Sequence, residues 1–270
     1  MKNKVPTPKN PDDALSQMEA FIEIVKLLRR DCPWDNKQTH KSISHLLIEE
    51  TYETIDAINQ NDMKEFPKEL GDLLLHIVMH SVIAEENGDF NFAKVISKVS
   101  EKMVRRHPHV FELDESYKAE TEEEVLNNWE TIKMKEGRKS ALEGVPKNLP
   151  SLLKAERIQE KAARVGFDWD NKQDVWAKVE EEFLELKQEL ASGAPARKEE
   201  EFGDLIFALV NAARFEKIVP EEALQLTNLK FIKRFQYVEK RAKEENLKLT
   251  EMTLAEMDKF WDEAKNIEKN

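Results

Sequence analysis

Residues 46–78, LLIEETYETIDAINQNDMKEFPKELGDLLLHIV, contain the pattern that decides the fold. Apolar residues recur there at three- and four-residue spacing, and Leu, Glu, Lys and Ala fill the flanking segments, which is typical of amphipathic helices. Alternating β-branched runs, which would indicate strands, are hard to find. The pattern therefore predicts an all-α protein. The predicted helices span residues 12–30, 39–60, 62–87, 90–105, 121–136, 151–165, 173–191, 197–217, 220–245 and 253–267.

The acidic motifs of this stretch occur twice in the chain. Each copy has an EExxE motif followed by an E-x-G-D motif, and the second Glu of the first motif precedes the Asp of the second by 22 residues in both. Self-similarity of this kind predicts two tandem helical-bundle modules. The first copy holds Glu49, Glu50, Glu53, Glu69 and Asp72, and the second holds Glu181, Glu182, Glu185, Glu201 and Asp204.

A segment rich in Gly and Pro separates the two copies. Residues 137–150, GRKSALEGVPKNLP, lack a long apolar periodicity and are therefore predicted to be a linker. This places an N-terminal domain at 1–136 and a C-terminal domain at 151–270.

The repeated acids predict a site for a hard cation. Residues three apart share a helix face, so each motif presents a pair of carboxylates. Glu50 and Glu182 each fall on the apolar stripe of their helix, seven residues after Ile43 and Val175. Carboxylates turned inward repel each other and lose hydration unless protons or a cation compensate. An all-oxygen ligand set favours Mg²⁺, with Mn²⁺ as the alternative.

A glycine recurs between the acids of the second motif, as Gly71 and Gly203. Glycine inside a helix costs roughly 1 kcal/mol relative to alanine, so its repetition indicates a close helix approach or room for a ligand. A single EExxE motif is more often a solvated acidic face. Two copies at equal spacing, each on an apolar stripe, favour the cation site.

Basic and aromatic residues repeat after the acids. In each copy a Lys and an Arg stand four residues apart, as do a Trp and a later Lys, and these are candidates to contact phosphates and a base. An exposed basic face and a core tryptophan are the ordinary alternatives. The residues are Lys102, Arg106, Trp129 and Lys133 in the first copy, and Lys230, Arg234, Trp261 and Lys265 in the second. His76 and His80 have Ala208 and Ala212 as counterparts, so they are interpreted as core or interface residues.

Composition excludes several classes of protein. The chain has 54 acidic and 42 basic residues and a formal net charge of -12, which argues against stable nucleic-acid binding. One cysteine, Cys32, cannot form an intramolecular disulfide. Apolar runs long enough to span a membrane are missing from the sequence, and so are the glycine-rich phosphate loops of P-loop and Rossmann proteins. We therefore expect a soluble, cytoplasmic protein.

The motifs together resemble the MazG family of nucleoside triphosphate pyrophosphohydrolases, in the all-α NTP pyrophosphatase superfamily. The resemblance implies a two-domain homodimer that converts NTPs and dNTPs to monophosphate and pyrophosphate with Mg²⁺. The segments that carry it are EETYETIDAI, KELGDLLLHIV, RRHPHVF and WETIK, then GFDWD, EEEFLEL, EEFGDLIFALVNAAR and KFIKRF.

The resemblance also implies roles for individual residues. In the second copy the metal ligands would be Glu182, Glu185, Glu201 and Asp204. Phosphate contacts would come from Lys230 and Arg234, and Trp261 and Lys265 would line the nucleotide site. The same positions of the first copy are intact, so either copy is a candidate for catalysis. The candidates for the catalytic base are Glu181, Glu182, Glu49 and Glu50.

Two alternatives remain at this point. A di-iron carboxylate bundle would use Glu-x-x-His motifs, whereas Glu-x-x-Asp stands here. A non-enzymatic helical protein would use the repeat only for dimerisation or partner binding.

Overall fold

The computed structural model describes residues 4–111, 117–137 and 140–268. Within these ranges the chain forms eleven α-helices and no strand, which confirms the all-α prediction. The helices are α1 (Ala14–Asp31), α2 (Ser44–Asn59), α3 (Phe66–Glu86), α4 (Phe92–Arg106), α5 (Pro108–Phe111), α6 (Glu122–Lys135), α7 (Ser151–Ala163), α8 (Lys172–Ser192), α9 (Pro195–Phe215), α10 (Pro220–Glu244) and α11 (Leu254–Ile267).

All ten predicted helices are present, but α2 and α3 begin five and four residues later than the periodicity predicted. Residues 39–43 form turns because the side chains of Thr39 and Ser42 bond each other's backbone N–H groups, at 2.8 and 3.1 Å. Residues 62–65 turn in the same way, since the Asp62 carboxylate accepts from the N–H groups of Lys64 and Glu65. The short helix α5 was not predicted.

The chain divides into two compact units, Met1–Thr121 and Glu122–Asn270. The domain limits predicted from the sequence, with a linker at 137–150, stay a prediction. Helix α6, which carries Trp129 and Lys133, belongs to the second unit.

Helix α3 is central to the first unit, where α1, α2 and α4 pack against it. The core consists of apolar residues from α1, α3 and the turn before α2, and the bulk of it comes from α3. Its buried members are Val25, Ile43, Val78, Met79, Val82 and Ile83.

Helix α9 has the corresponding place in the second unit, where α7, α8 and α10 contact it. Val175 and Val179 of α8 pack with Ala208 and Ala212 of α9. A second cluster joins α10 to α11 through Val238, Ala242 and Phe260. A capping box between Thr253 and Glu256 begins α11.

The central helices α3 and α9 each leave one apolar side uncovered in the single chain. Leu70 and Ile77 of α3 are exposed, and so are Phe202 and Leu209 at the equivalent positions of α9. The sequences of both helices, LGDLLLHIVMHSVIA and FGDLIFALVNAA, are apolar nearly all round, which is typical of central helices. The neighbouring helices of one chain cover only part of each circumference.

Two of the glycines that follow predicted helices differ in conformation. Gly88 adopts the left-handed conformation with φ 76°, as expected just after a helix. Gly193 ends α8 with φ -78° in an extended conformation instead. None of the helices in the described part of the chain is both long and apolar enough to cross a membrane.

Truncating a core side chain of the first unit should lower the free energy of unfolding. Ile83→Ala removes a side chain that is 3% exposed, and we expect a loss of about 2–5 kcal/mol because a cavity remains. Ile96→Ala on α4 is the matched control, since that side chain is 47% exposed, and it should cost less than about 1 kcal/mol. Urea unfolding measures both. Equal losses would contradict the position of the core.

Candidate active site

Three carboxylates of the second unit converge between α8 and α9. Glu182, on α8, is 8% exposed and Glu201, on α9, is 5% exposed, whereas Asp204 is exposed. One ligand oxygen from each lies within 4.8 Å of the other two. The burial follows from the sequence, because Glu182 stands on the face of α8 that packs through Val175 and Val179. This all-oxygen donor set fits a hard divalent cation.

The first unit forms an equivalent group between α2 and α3. Ligand oxygens of Glu50, Glu69 and Asp72 also lie within 4.8 Å of one another. Glu50 and Glu69 are half-buried. The Oε2 atom of Glu69 is buried with no hydrogen-bond partner among the residues described. A buried acceptor of this kind fits a cation, which would satisfy it.

Burial and charge repulsion act on the carboxylates of this first group. Burial, followed by the negative charges of Asp72 and Glu53, raises the pKa of Glu50 above its ordinary value. Burial and the charge of Glu53 likewise raise the pKa of Glu69. The causes that act on Glu50 all disfavour its ionised form, and a cation bound by these carboxylates would oppose them.

The second group has two built-in cations. Lys178 Nζ lies 2.8 Å from Glu182, and Arg197 Nη2 lies 2.9 Å from Glu201. Burial raises the pKa of Glu201, and the charge of Arg197 opposes that rise. Hydrogen bonds to Glu181 and then Glu182 hold the pKa of Lys178 far above its usual range.

Neither of these cations was predicted from the sequence. Each stands four residues before the carboxylate that it bonds, and that spacing was the available signal. Leu46 and Glu65 occupy the equivalent positions of the first copy, so the two copies differ here.

The remaining predicted acids lie outside the two three-residue groups. Glu53 lies close enough to Glu69 at the first group for its charge to raise the pKa of Glu69. Glu181 is exposed, and its carboxylate lies 2.8 Å from Lys178 Nζ. Glu49 and Glu185 are exposed on α2 and α8. Their roles as ligands or bases stay predictions.

A cavity of about 630 Å³ adjoins the carboxylates of the second unit. Glu182, Asp204 and Lys178 line one part of it, and its walls are mainly apolar. The aromatic residues in the wall are Phe167, Trp169 and Phe207. A Cβ atom added at Gly203 would meet nothing within 4 Å, and the same holds at Gly71. A close helix approach at these glycines is therefore not seen in the described part of the chain, and room for a ligand stays a prediction.

The basic and aromatic residues predicted to bind nucleotide in the second copy lie elsewhere in that unit. Arg234 donates to Glu268 at 2.7 and 2.9 Å and stands over the ring of Trp261, 5.7 Å from its centroid. Lys265 pairs with Asp262 at 3.1 Å, and Lys230 is exposed. None of them is among the described residues that line the cavity. Their contact with nucleotide stays a prediction.

Their counterparts in the first copy are spread over two helices. Lys102 and Arg106 lie on α4 and are half-buried. Trp129 and Lys133 lie on α6, with Lys133 Nζ 5.9 Å from the tryptophan ring centroid. Lys133 is buried.

The histidines of α3 pack within the first unit. His76 is buried, and burial lowers its pKa. His80 Nδ1 lies 2.8 Å from His40 Nδ1, so one of the two nitrogens carries a proton and donates it to the other. This agrees with their interpretation as packed histidines.

Comparison with known proteins now identifies the family. The MazG nucleotide pyrophosphohydrolase domain matches residues 38–111. The nucleoside triphosphate pyrophosphohydrolase of Escherichia coli K12 is 41% identical over 263 residues, which cover 94% of this chain and 99% of that protein. The nucleoside triphosphate pyrophosphohydrolase/pyrophosphatase MazG of Thermotoga maritima is 41% identical over 252 residues, covering 92% and 95%.

A third relative is longer. The uncharacterized protein YabN of Bacillus subtilis is 47% identical over 260 residues, which are 94% of this chain but 52% of that protein. This chain therefore spans about half the length of YabN and nearly the full length of the other two. Taken with the two carboxylate groups, these matches show that the chain belongs to the MazG family of nucleotide pyrophosphohydrolases.

Proposed function

We propose that this chain converts NTPs and dNTPs to monophosphates and pyrophosphate with Mg²⁺, and that its second copy does the catalysis. The observation that carries the proposal is the cavity, in which Glu182 and Asp204 adjoin a largely apolar pocket with aromatic walls. A nucleotide has the matching character, since an anionic phosphate chain is joined to a flat base. The names of the E. coli and T. maritima relatives support the same activity.

The carboxylates of the second group would hold the cation. Glu182, Glu201 and Asp204 present oxygen donors within 4.8 Å, with Glu185 as the further predicted ligand. When bound, Mg²⁺ supplies electrostatic polarisation of the phosphoryl oxygens, and Mn²⁺ has the same ligand preference. Lys178 and Arg197 stand one helical turn from these carboxylates, where they can exchange a carboxylate partner for a phosphate oxygen.

Glu181 is our candidate for orienting the attacking water. It lies outside the three-carboxylate group, is exposed, and is held by Lys178. Cleavage between the α and β phosphorus atoms releases pyrophosphate, and the predicted cations Lys230 and Arg234 would stabilise the charge that develops on it. Trp261 and Lys265 would contact the same nucleotide.

We also propose that two copies of the chain associate. Leu70 and Ile77 of α3 repeat as Phe202 and Leu209 of α9, and all four side chains are exposed. Exposed apolar surface that repeats at equivalent helix positions is typical of an interface. Net charge and cysteine content favour a cytoplasmic enzyme without stable nucleic-acid binding.

The two alternatives from the sequence are not supported. Membership of a hydrolase family argues against a purely structural partner-binding protein. A di-iron bundle would need Glu-x-x-His motifs, and the carboxylate groups contain Glu-x-x-Asp instead.

Glu182→Gln tests the catalytic assignment. We expect kcat/KM for pyrophosphate release from ATP to fall at least about tenfold, because the cation loses a charged ligand. Glu180→Gln, at an exposed position of the same helix, is the charge-matched control and should change the rate less than about twofold. The assay resolves AMP from ADP. A Glu182→Gln enzyme as active as the control, or activity that persists in EDTA, would exclude this site.

Glu50→Gln tests the charge repulsion in the first group. Since the folded state raises the pKa of Glu50, ionised Glu50 destabilises that state at neutral pH. We expect the Tm in EDTA to rise by roughly 1–3 °C and the further rise on adding Mg²⁺ to shrink. Glu23→Gln, an exposed site on α1, controls for net charge. A lower Tm in Glu50→Gln, or an unchanged rise of the Tm on adding Mg²⁺, would contradict charge repulsion at Glu50.

Leu209→Glu tests the interface. Light scattering should give the wild-type chain twice the mass of one copy, and the variant should dissociate because a charge replaces an exposed apolar contact. Leu15→Glu is the control, since Leu15 is 80% exposed on α1. A monomeric wild type would refute dimerisation, and a dimeric Leu209→Glu variant would refute this surface.

A further inference from the structure

Two histidines of the first unit meet nitrogen to nitrogen. His40 stands in the turn before α2 and His80 lies on α3, and their Nδ1 atoms are 2.8 Å apart. The ring planes are within 8° of parallel, with centroids 5.1 Å apart. A contact of this length between ring nitrogens requires one proton, which one Nδ1 carries and the lone pair of the other accepts. The hydrogen bond therefore exists only while at least one of the two imidazoles is neutral.

The turn that carries His40 is positioned from both sides. Before it, Arg29 of α1 donates from Nη1 to the carbonyl oxygens of Asp35 and Gln38. After it, Ile43 is 3% exposed and belongs to the core of the first unit. These anchors bring the His40 ring to α3, where the contact with His80 adds a direct hydrogen bond between the turn and that helix.

The surroundings of this contact disfavour positive charge. Burial, followed by the charges of His40 and His76, lowers the pKa of His80. His76 lies one turn earlier on α3 and is buried, and burial lowers its pKa while the charge of Asp72 opposes that change. The charges that act on His80 thus come from the turn, through His40, and from α3 itself, through His76.

The other helices that pack against α3 present different groups to it. Helix α4 contributes the apolar Phe92 to the core, and two cations of α1 pair with carboxylates at the end of α3, beyond His80. These pairs are Lys26 with Glu85 at 3.8 Å and Arg29 with Glu86 at 3.0 Å. Lys41, the residue after His40, is an exposed cation. A second proton on the histidine pair would therefore add positive charge beside an existing one.

We propose that His40 and His80 form an acid-sensitive clasp, which ties the turn before α2 to α3 near neutral pH and releases it in weak acid. When both rings are protonated, two N–H groups and two positive charges face each other and the hydrogen bond is lost. The clasp concerns the first unit alone and goes beyond the proposed catalysis. Lys172 and Ala212 stand at the equivalent positions of the second copy, which cannot form this bond.

The direction of the pH dependence follows from the pKa of His80. That pKa is lower in the folded state than in an opened one, so the opened state binds more protons in weak acid. The contact therefore stabilises the closed turn fully above about pH 6.5, the ordinary pKa of an imidazole, and loses this effect as the pH falls below it.

Hydrogen–deuterium exchange of the intact chain tests the clasp. The amides of Thr39 and Ser42 are hydrogen-bonded within the turn, so their exchange reports its opening. After correction for intrinsic rates, we expect their protection to fall roughly three- to tenfold from about pH 7.5 to about pH 5.5, since each pH unit below the pKa shifts the opening equilibrium up to tenfold. The Asp174 amide, which bonds Asn171 at the start of α8, should keep its protection.

His80→Gln supplies a partner that does not titrate. A glutamine can donate to a neutral His40 and accept from a protonated one, so protection of the turn should agree within about twofold at the two pH values. His45→Gln, at an exposed position of α2, is the matched control and should keep the wild-type fall. Equal wild-type protection at both pH values, or a fall in His80→Gln as large as in the wild type, would overturn the clasp.

Nitrogen-15 spectra of the wild-type imidazoles give a second measurement that needs no variant. Near neutral pH, one of the two histidines should carry a proton on Nδ1 while the Nδ1 of the other has none. A spectrum in which neither Nδ1 is protonated would overturn the clasp. These measurements do not involve nucleotide, so their failure would leave the proposed pyrophosphohydrolase activity intact.

Discussion

The structure depends on burying carboxylates on the same helix faces that form the core. In the second unit the face of α8 that carries Val175 and Val179 also carries Glu182, and α9 brings Glu201 against it. Apolar packing holds the two helices together and thereby holds the charges together as well. Like charges in a partly desolvated site repel each other unless a positive charge offsets them. A divalent cation would offset them and would also bind phosphate oxygens.

The two copies differ in the charges that surround their buried carboxylates. In the second, Lys178 and Arg197 pair with Glu182 and Glu201. The first has Leu46 and Glu65 at those positions, and the pKa of Glu50 is raised. We propose that these side-chain cations release their carboxylates when a metal ion and a nucleotide bind to the second group. The first group, without them, depends more strongly on a bound ion.

Helical periodicity and the internal repeat predicted ten of the eleven described helices and, among the predicted acids, the three of each copy that meet. Glu50 and Glu182 could be placed inside because they stand on apolar stripes, and the repeat then paired them with Asp72 and Asp204. The residues at which the helices begin were harder to predict. Near Thr39 and at Asp62, side chains accept hydrogen bonds from backbone N–H groups and form turns. The spacing of apolar residues does not show these bonds.

The contact between His40 and His80 could not be predicted in this way. The two residues are 40 apart in the chain, and their meeting depends on how the turn before α2 packs against α3. The uncovered sides of α3 and α9 were missed for a related reason. Sequence shows that a side is apolar, whereas the number of neighbouring helices decides whether it is covered.

The most direct measurement of the central claim is equilibrium Mn²⁺ binding, followed through the electron paramagnetic resonance signal of the free ion. The Glu182→Gln, Glu201→Gln double variant should lose one class of sites that the wild type has. The Glu180→Gln, Glu199→Gln double variant changes the same net charge at exposed positions and should bind as the wild type does. Equal Mn²⁺ binding by the two variants would contradict a cation site between α8 and α9.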